Sequence, residues 1–243
     1  MPEQLWFTQF LNHYFGGVTT ALLRYLHIQP AHPDAPINNA VSMEILAVLV
    51  LIVFFIIVRS VLSVDKPGKL QHTVEMAEEF IGGQAESIIG HDYKRHMAYI
   101  LALGFFILLC NLLGLIPGFE SPTANAQVPL GCAVATFIYY NYYGVRQHGF
   151  SYIKQFLGPV WQLSWLMFPI EVISHCARIL SLTVRLYANM FAGDMVTMAF
   201  FSLVPVLIPV AFLGLHLFVA LVQTFIFVIL ATVYVGMAVG ESH

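Results

Sequence analysis

The sequence predicts an all-α protein with several membrane-spanning helices. Of its 243 residues, 59% are hydrophobic and only 9% are charged, and the mean hydropathy is +0.79. A soluble domain with a charged surface does not have this composition. The nonpolar residues also form runs long enough to cross the roughly 30 Å hydrocarbon core of a bilayer. We therefore expect one membrane domain over residues 41–243, preceded by an N-terminal surface segment over residues 1–40.

The charged and sulfur-containing residues argue against several other classes of protein. The net charge is −3, and no cluster of Lys and Arg could follow a phosphate backbone, so we expect no nucleic-acid partner. The three cysteines lie singly in nonpolar stretches without CxxC spacing, which is typical of buried thiols rather than of disulfides or a metal site. The stretch "MPEQLWFTQF" lacks the basic and nonpolar regions of a cleaved signal.

The first half of the membrane domain contains one predicted span and one amphipathic helix. The first span covers residues 43–64, and Arg59 can reach the polar interface near its end. Over residues 69–90, nonpolar side chains fall on one helical face and glutamates on the opposite face. We expect this helix to lie along the membrane surface. A helix packed on a soluble neighbour is the alternative, because acidic polar faces are not the usual lipid-binding kind.

Four more spans are predicted after the amphipathic helix. Residues 97–116 and 128–143 form a hairpin around "IPGFESPTANAQVPLG", whose Pro and Gly indicate a turn. The nonpolar runs 160–200 and 203–240 are longer than one perpendicular crossing needs, which implies strong tilt or a kink. With five crossings, one side of the membrane carries Lys66, Lys69, Lys94, Arg95, Arg146 and Lys154. The positive-inside rule then places the N-terminus outside and the C-terminus in the cytoplasm.

The fourth span carries a stripe of polar residues. They lie at offsets of 0, 4, 7, 14 and 18 residues and are Glu171, His175, Arg178, Arg185 and Asn189. At about 100° per residue, they fall within an arc of about 80° on one helical face. Burying charge in a bilayer is costly, so this stripe must face protein or water.

Arg185 has no obvious carboxylate partner in the sequence. For Arg178, an internal ion pair that joins helices is an open alternative, because His175 and Glu171 lie on the same face. Glu171, however, is roughly 21 Å along the helix from Arg185. Asp194 is roughly 13 Å away in the other direction and points away from the stripe. Since a guanidinium cannot lose its charge, we expect the partner of Arg185 to come from another polypeptide.

The fifth span has its own aligned polar residues, His216, Gln223 and Tyr234, at offsets of 0, 7 and 18 residues. Hydrogen-bonded core groups are a strong alternative for Gln223 and Tyr234. His216 is more suggestive of function, because imidazole titrates near neutral pH and can pass a proton between its two nitrogens.

The stretch "SLTVRLYANMFAGD" closely resembles the "SL..RL..NM.AG" signature of subunit a, the stator channel subunit of rotary F-type ATP synthases. The resemblance continues in "GFFILLCNLLGLIPG", "SPTAN" and "VQTFIFVILATVYVGMA", in the right order and spacing. It covers roughly residues 40–243. The combination of these motifs is specific to that family.

This resemblance implies a role for each polar residue. Arg185 matches the essential arginine of the family, and Asn189 matches a nearby asparagine. Asp194 and His216 match the pair of the outer half-channel, and Glu171 matches the carboxylate of the inner one. Other family polar positions are matched by Gln223, Tyr234, Arg178 and Asn111. Two departures stand out: Asp194 is shorter than the usual glutamate, and "ANAQVPLG" lacks the usual Asn and Thr run.

The resemblance also implies a function. Two offset half-channels would bring protons to the carboxylates of a rotating c-subunit ring, and the two long tilted helices would face that ring. His175 would lie beside Glu171 at the inner exit, and Arg185 would prevent a direct leak. The chain would perform no covalent chemistry and hold no cofactor or metal. Expected partners are the c ring, the b subunits of the peripheral stalk and the other synthase subunits, most simply in a bacterial inner membrane.

Two rival functions belong to other classes. A self-contained ion-coupled secondary transporter would need inverted repeats and a site closed by its own helices, and the sequence shows neither. A membrane-embedded hydrolase could use His175 and Glu171 as metal ligands, but "EVISH" is not an HExxH motif. The absence of a GxxxxGK[ST] loop fits a chain that does not itself bind ATP.

Overall fold

The computed structural model describes residues 5–25, 36–63, 68–116, 118–149, 164–203 and 207–240. Within these ranges the chain forms helices and turns and no strand. Seven α-helices follow one another: α1 (Trp6–Tyr25), α2 (Asn39–Val61), α3 (Lys69–Ile89), α4 (Tyr93–Leu113), α5 (Gln127–His148), α6 (Ser164–Leu203) and α7 (Leu207–Val239). A short 3₁₀ turn, Pro122–Ala124, separates α4 from α5. The predicted all-α class is confirmed for the described residues.

Four helices of the described residues are long and nonpolar enough to cross a membrane, over Asn39–Val61, Tyr93–Leu113, Met167–Phe200 and Val210–Val239. These correspond to four of the five predicted spans. The predicted first residues of the 160–200 span lie outside the described residues, as do residues 204–206 of the last span.

The remaining predicted span, 128–143, is helical within α5 but is not among the four nonpolar helices. The second half of α5 contains four tyrosines, an asparagine and an arginine, which lower the hydropathy of the helix. The 22 residues of α5 would reach about 33 Å at 1.5 Å per residue, so the helix is long enough to cross. A fifth crossing remains a prediction.

Helix α3 has the predicted amphipathic pattern. Its buried Ala85 packs with Met97 and Ile100 of α4 and with Val228 of α7. Its glutamates are exposed on the opposite face. The helix ends at Gly90, whose positive φ of 85° is a conformation that glycine adopts without strain. The nonpolar face therefore packs on other helices of this chain, and the position of α3 on the membrane surface remains a prediction.

The main nonpolar core lies where α4, α5, α6 and α7 meet. Helix α6 contributes Leu182, Leu186 and Met190, which recur every four residues and so share one face. The other buried members are Leu103, Ile107, Cys132, Ala133, Ala220, Phe227 and Ala231. This packing holds α6 against α7 along their length and places Arg185 at the edge of the buried face.

Helix α1 is attached to the beginning of α2. Phe7 and Leu11 pack with Ile37 and Met43 in a small separate core. The Asn12 side chain donates a hydrogen bond to the carbonyl of Ile37 and accepts one from its N–H, at 3.0 and 3.1 Å. The N-terminal segment therefore contains a helix, Trp6–Tyr25, that packs on the chain just before and within α2.

Candidate functional site

The first part of the site pairs Glu171 with His175, one turn apart on α6. The Oε1 atom of Glu171 lies 3.3 Å from Nε2 of His175. The Glu171 side chain is 37% exposed and that of His175 is 9% exposed. The carboxylate is therefore accessible at the protein surface, while the imidazole is enclosed by protein.

Helices α5 and α7 complete this cluster. The Tyr140 hydroxyl lies 2.8 Å from Nδ1 of His175. The Tyr140 and Tyr234 ring centroids are 6.1 Å apart. The guanidinium carbon of Arg178 lies 5.5 Å from the centroid of the Tyr234 ring, within the range of a cation–π contact. We call these five residues the inner cluster; the structure brings four predicted residues together and adds Tyr140.

The alternative of an ion pair for Arg178 is not seen in this geometry. Within the described residues, no carboxylate lies within the 4.0 Å limit of a salt bridge to Arg178, and its charge is placed over the face of Tyr234 instead. An aromatic ring carries negative potential on its face, so this contact stabilises a cation in a nonpolar setting. Glu171 pairs with His175 instead.

The second part of the site lies further along α6. Oδ1 of Asp194 is 3.7 Å from Nδ1 of His216 on α7. The His216 side chain is 3% exposed, and its Nε2 atom is buried without a hydrogen-bond partner among the described residues. We call Asp194 and His216 the outer pair.

Glycine at position 193 makes the outer pair possible. A Cβ atom built on Gly193 would lie 3.0 to 3.1 Å from three atoms of the His216 ring. Real Cβ contacts are rarely this close. Gly193 thus lets α7 of the same chain approach closely, whereas the nearby small residues Ala188 and Ala192 are exposed.

Arg185 lies on α6 between the inner cluster and the outer pair. Its Nη2 atom donates a hydrogen bond of 3.3 Å to the Ser181 hydroxyl. No carboxylate of the described residues comes within 4.0 Å of its guanidinium, whereas Glu171 and Asp194 are each beside a histidine. Val184 and Ala188, its near neighbours on the helix, are exposed. The cation is therefore fixed in place beside an uncovered surface.

Asn189 and Gln223 are half-buried, but neither makes a hydrogen bond to another described residue. The structure therefore places them on the helices that carry the outer pair without joining them to it. Their predicted roles remain predictions.

A second polar network, which the sequence reasoning did not assemble, joins α4, the 3₁₀ turn and α7. Asn111 is completely buried. Its amide donates to the Thr224 hydroxyl at 3.1 Å, and its oxygen accepts from the Thr123 hydroxyl at 2.6 Å. Ser121 lies 2.8 Å from Thr123. Asn111 and the "SPTAN" turn were noticed only as family-like motifs, because sequence spacing does not show contacts between residues more than 100 positions apart.

The site contains two acid–histidine pairs. An imidazole can accept a proton at one ring nitrogen and donate one from the other. The described residues contain no group of three or more His, Cys, Asp or Glu side chains that could hold a metal ion. Glu171 precedes Arg185 by 14 residues and Asp194 follows it by nine, or about 21 and 13 Å along a helix. The two acid–histidine pairs are thus offset on either side of a fixed cation.

Comparison with known proteins identifies the family of this chain. The profile of the ATP synthase A chain family matches residues 41–236. The chain is 57% identical to "ATP synthase subunit a" of Koribacter versatilis, over all of both chains. It is 46% identical to the protein of the same name from Solibacter usitatus, over 96% of this chain and 99% of that one. A third relative, from Trichlorobacter lovleyi, is 37% identical over all of both chains. The chain belongs to the ATP synthase A chain family.

Proposed function

We propose that this chain is the stator channel subunit of a bacterial rotary ATP synthase and carries protons to and from a ring of c subunits. The proposal depends on the position of Arg185, a permanent cation between two acid–histidine pairs. No carboxylate of the described residues forms a salt bridge with it. Its partner would be the ionised carboxylate of each ring subunit as it passes.

The two acid–histidine pairs would serve two separate paths. On the outer path, protons move past Asp194, His216, Asn189 and Gln223 to neutralise a ring carboxylate. On the inner path they leave beside Glu171 and His175, with Arg178 and Tyr234 completing the surroundings. The fixed charge of Arg185 opposes direct passage of a proton from one path to the other. Each charge that crosses releases roughly 2.3 kcal/mol per 100 mV of membrane potential.

The exposed face of α6 provides room for the ring. Ser181, Val184, Ala188 and Ala192 are exposed beside Arg185, and three of these side chains are small. Small residues let a neighbouring helix approach closely in a membrane. On this reading, the chain is not itself catalytic. It works in an inner membrane with the c ring, the b subunits and the other synthase subunits, with its N-terminus outside and its C-terminus in the cytoplasm.

Substitution of Arg185 tests the proposal. In the assembled complex, Arg185→Ala removes a positive charge. In the proposal, that charge both holds the carboxylate of the c ring and prevents the proton leak. We expect proton-driven ATP synthesis in vesicles to be lost, by at least about 100-fold if more than 2.7 kcal/mol of stabilisation is removed. Arg59→Ala is the matched control, because Arg59 is an exposed arginine near the end of α2. Synthesis near the wild-type rate in Arg185→Ala would overturn the proposal.

A self-contained transporter is the alternative that a second measurement addresses. The family membership favours a subunit of the synthase over such a transporter. In vesicles that contain this chain alone, the proposal predicts no proton flux above that of protein-free vesicles, because the ring that carries the protons is missing. Flux from the chain alone would instead support the transporter.

A further inference from the structure

Tyr140 holds the His175 ring from the neighbouring helix α5. The tyrosine is 2% exposed, and its hydroxyl lies 2.8 Å from Nδ1 of His175. The two rings stack with centroids 5.9 Å apart and planes 19° apart. Phe137 meets the same imidazole edge-on, with centroids 5.9 Å apart. Two aromatic rings of α5 therefore restrict the orientation of this imidazole.

Tyr140 and Glu171 approach different nitrogens of His175. Glu171 lies 3.3 Å from Nε2, and an ionised carboxylate can only accept a hydrogen bond. A neutral imidazole that carries its hydrogen on Nε2 therefore presents it to Glu171 and leaves Nδ1 as an acceptor. The hydroxyl of Tyr140 can donate to that acceptor. Replacing it with a group that cannot donate would remove this hydrogen bond to Nδ1.

We propose that Tyr140 is a positioning residue of the inner path, whose hydroxyl holds neutral His175 in the tautomer that presents Nε2–H to Glu171. This inference rests on the proposed function, because that function gives Glu171 and His175 their task. Among the described residues, Arg178 on α6 is a further charged group close to the imidazole, and Tyr234 on α7 lies beside Tyr140. Tyr140 acts through His175 and does not itself contact the carboxylates of the c-subunit ring.

The neighbouring residue of α5 provides a matched control. The hydroxyl of Tyr139 lies 3.0 Å from Nδ1 of His96, so Tyr139→Phe removes the same kind of tyrosine–histidine contact. His96 belongs to neither the inner cluster nor the outer pair. Tyr140→Phe and Tyr139→Phe each remove one hydroxyl and keep the aromatic ring, so each changes packing very little.

The test measures proton-driven ATP synthesis by the assembled complex in vesicles over a range of pH. We expect Tyr140→Phe to lower the rate roughly fivefold, as expected for the loss of one hydrogen bond. It should also shift the pH at which the rate is half-maximal, because the proton on His175 is no longer fixed. Tyr139→Phe should change neither quantity. In a His175→Gln background, Tyr140→Phe should have little further effect, because the two residues act as one unit.

Several outcomes would overturn the inference. An unchanged rate and pH profile in Tyr140→Phe would do so, as would equal effects in the presence and absence of His175. Loss of the assembled complex in Tyr140→Phe, but not in Tyr139→Phe, would give Tyr140 a purely structural role. Glu171→Gln separates this inference from the proposed function. If Glu171→Gln slows synthesis while Tyr140→Phe does not, only the role of Tyr140 is wrong; if Glu171→Gln has no effect, the inner path itself is wrong.

Discussion

The contact between Gly193 and His216 shows how one hydrogen atom in place of a methyl group determines the geometry of the outer pair. The imidazole is buried on α7, and the backbone of α6 passes beside it at position 193. A glycine inside a helix normally costs about 1 kcal/mol relative to alanine. At this position the cost is offset, because glycine leaves room for the His216 imidazole to lie beside Asp194.

Gly193→Ala should therefore impair the outer path even though alanine favours the helix. The new Cβ atom would meet the ring at 3.0 to 3.1 Å, and such overpacking typically costs about 1 to 3 kcal/mol. We expect His216 to move away from Asp194 and proton-driven ATP synthesis to fall several-fold in membranes with a normal amount of complex. Gly131→Ala is the control, since a Cβ atom there would meet nothing within 4 Å. Equal rates in the two variants would contradict this account.

The candidate residues could be chosen from the sequence more easily than their contacts could. The stripe on α6 was visible because charges are rare in nonpolar helices and a helix repeats every 3.6 residues. The spacing did not single out Tyr140 because α5 contains five consecutive aromatic or polar positions, residues 139–143, and nothing in their spacing distinguishes the one that meets His175. Hydrogen bonds between helices depend on the rotation of each helix, which sequence spacing does not determine.

At the scale of helices, the nonpolar runs predicted the elements well. The predicted spans 97–116 and 203–240 compare with helices Tyr93–Leu113 and Leu207–Val239. The largest difference is at the end of α5, which continues to His148 beyond the predicted residue 143. At the turn between α4 and α5, the chain leaves the helix at Gly114. A Cβ atom at that glycine would lie 2.6 Å from Cβ of Ser121. The buried network around Asn111 then fixes the turn against α7, a contact that hydropathy cannot show.

Helix α5 is the element whose crossing needs a direct test. In a chain whose own cysteines are replaced by alanine, cysteine can be introduced at the exposed ends of α5, as Gln127→Cys or Arg146→Cys. We expect a membrane-impermeant maleimide to label the first only from the outside and the second only from the cytoplasmic side. The reason is that a 22-residue helix spans about 33 Å, the thickness of the hydrocarbon core.

The control for this labelling is Val53→Cys, in the middle of α2, which should react from neither side because it faces lipid. Labelling of both ends of α5 from the same side would show that this helix does not cross. The side on which the C-terminus lies would then have to be reassigned as well.

At the scale of the whole molecule, the described residues leave one exposed surface that lipid alone does not suit. The core binds α4, α5, α6 and α7 together, yet α6 keeps a long exposed face that includes Leu180, Val184 and Phe191. Arg185 lies at the edge of this face. Lipid can cover the nonpolar side chains, but it does not provide a carboxylate for a half-buried guanidinium. A protein surface with an acidic group is therefore the better occupant.

The identity of that occupant can be tested by photo-crosslinking in the assembled complex. A benzoylphenylalanine in place of Val184, which is 55% exposed beside Arg185, should form adducts with the c subunit, because the ring is expected to pass over this face. The same group in place of Ile138 on α5, which is 61% exposed, should not, because that residue lies on a different helix. Adducts are identified by mass. If Val184 yields only lipid adducts while the complex remains assembled, the exposed face of α6 is an ordinary lipid-facing surface, and Arg185 must find its counter-charge elsewhere.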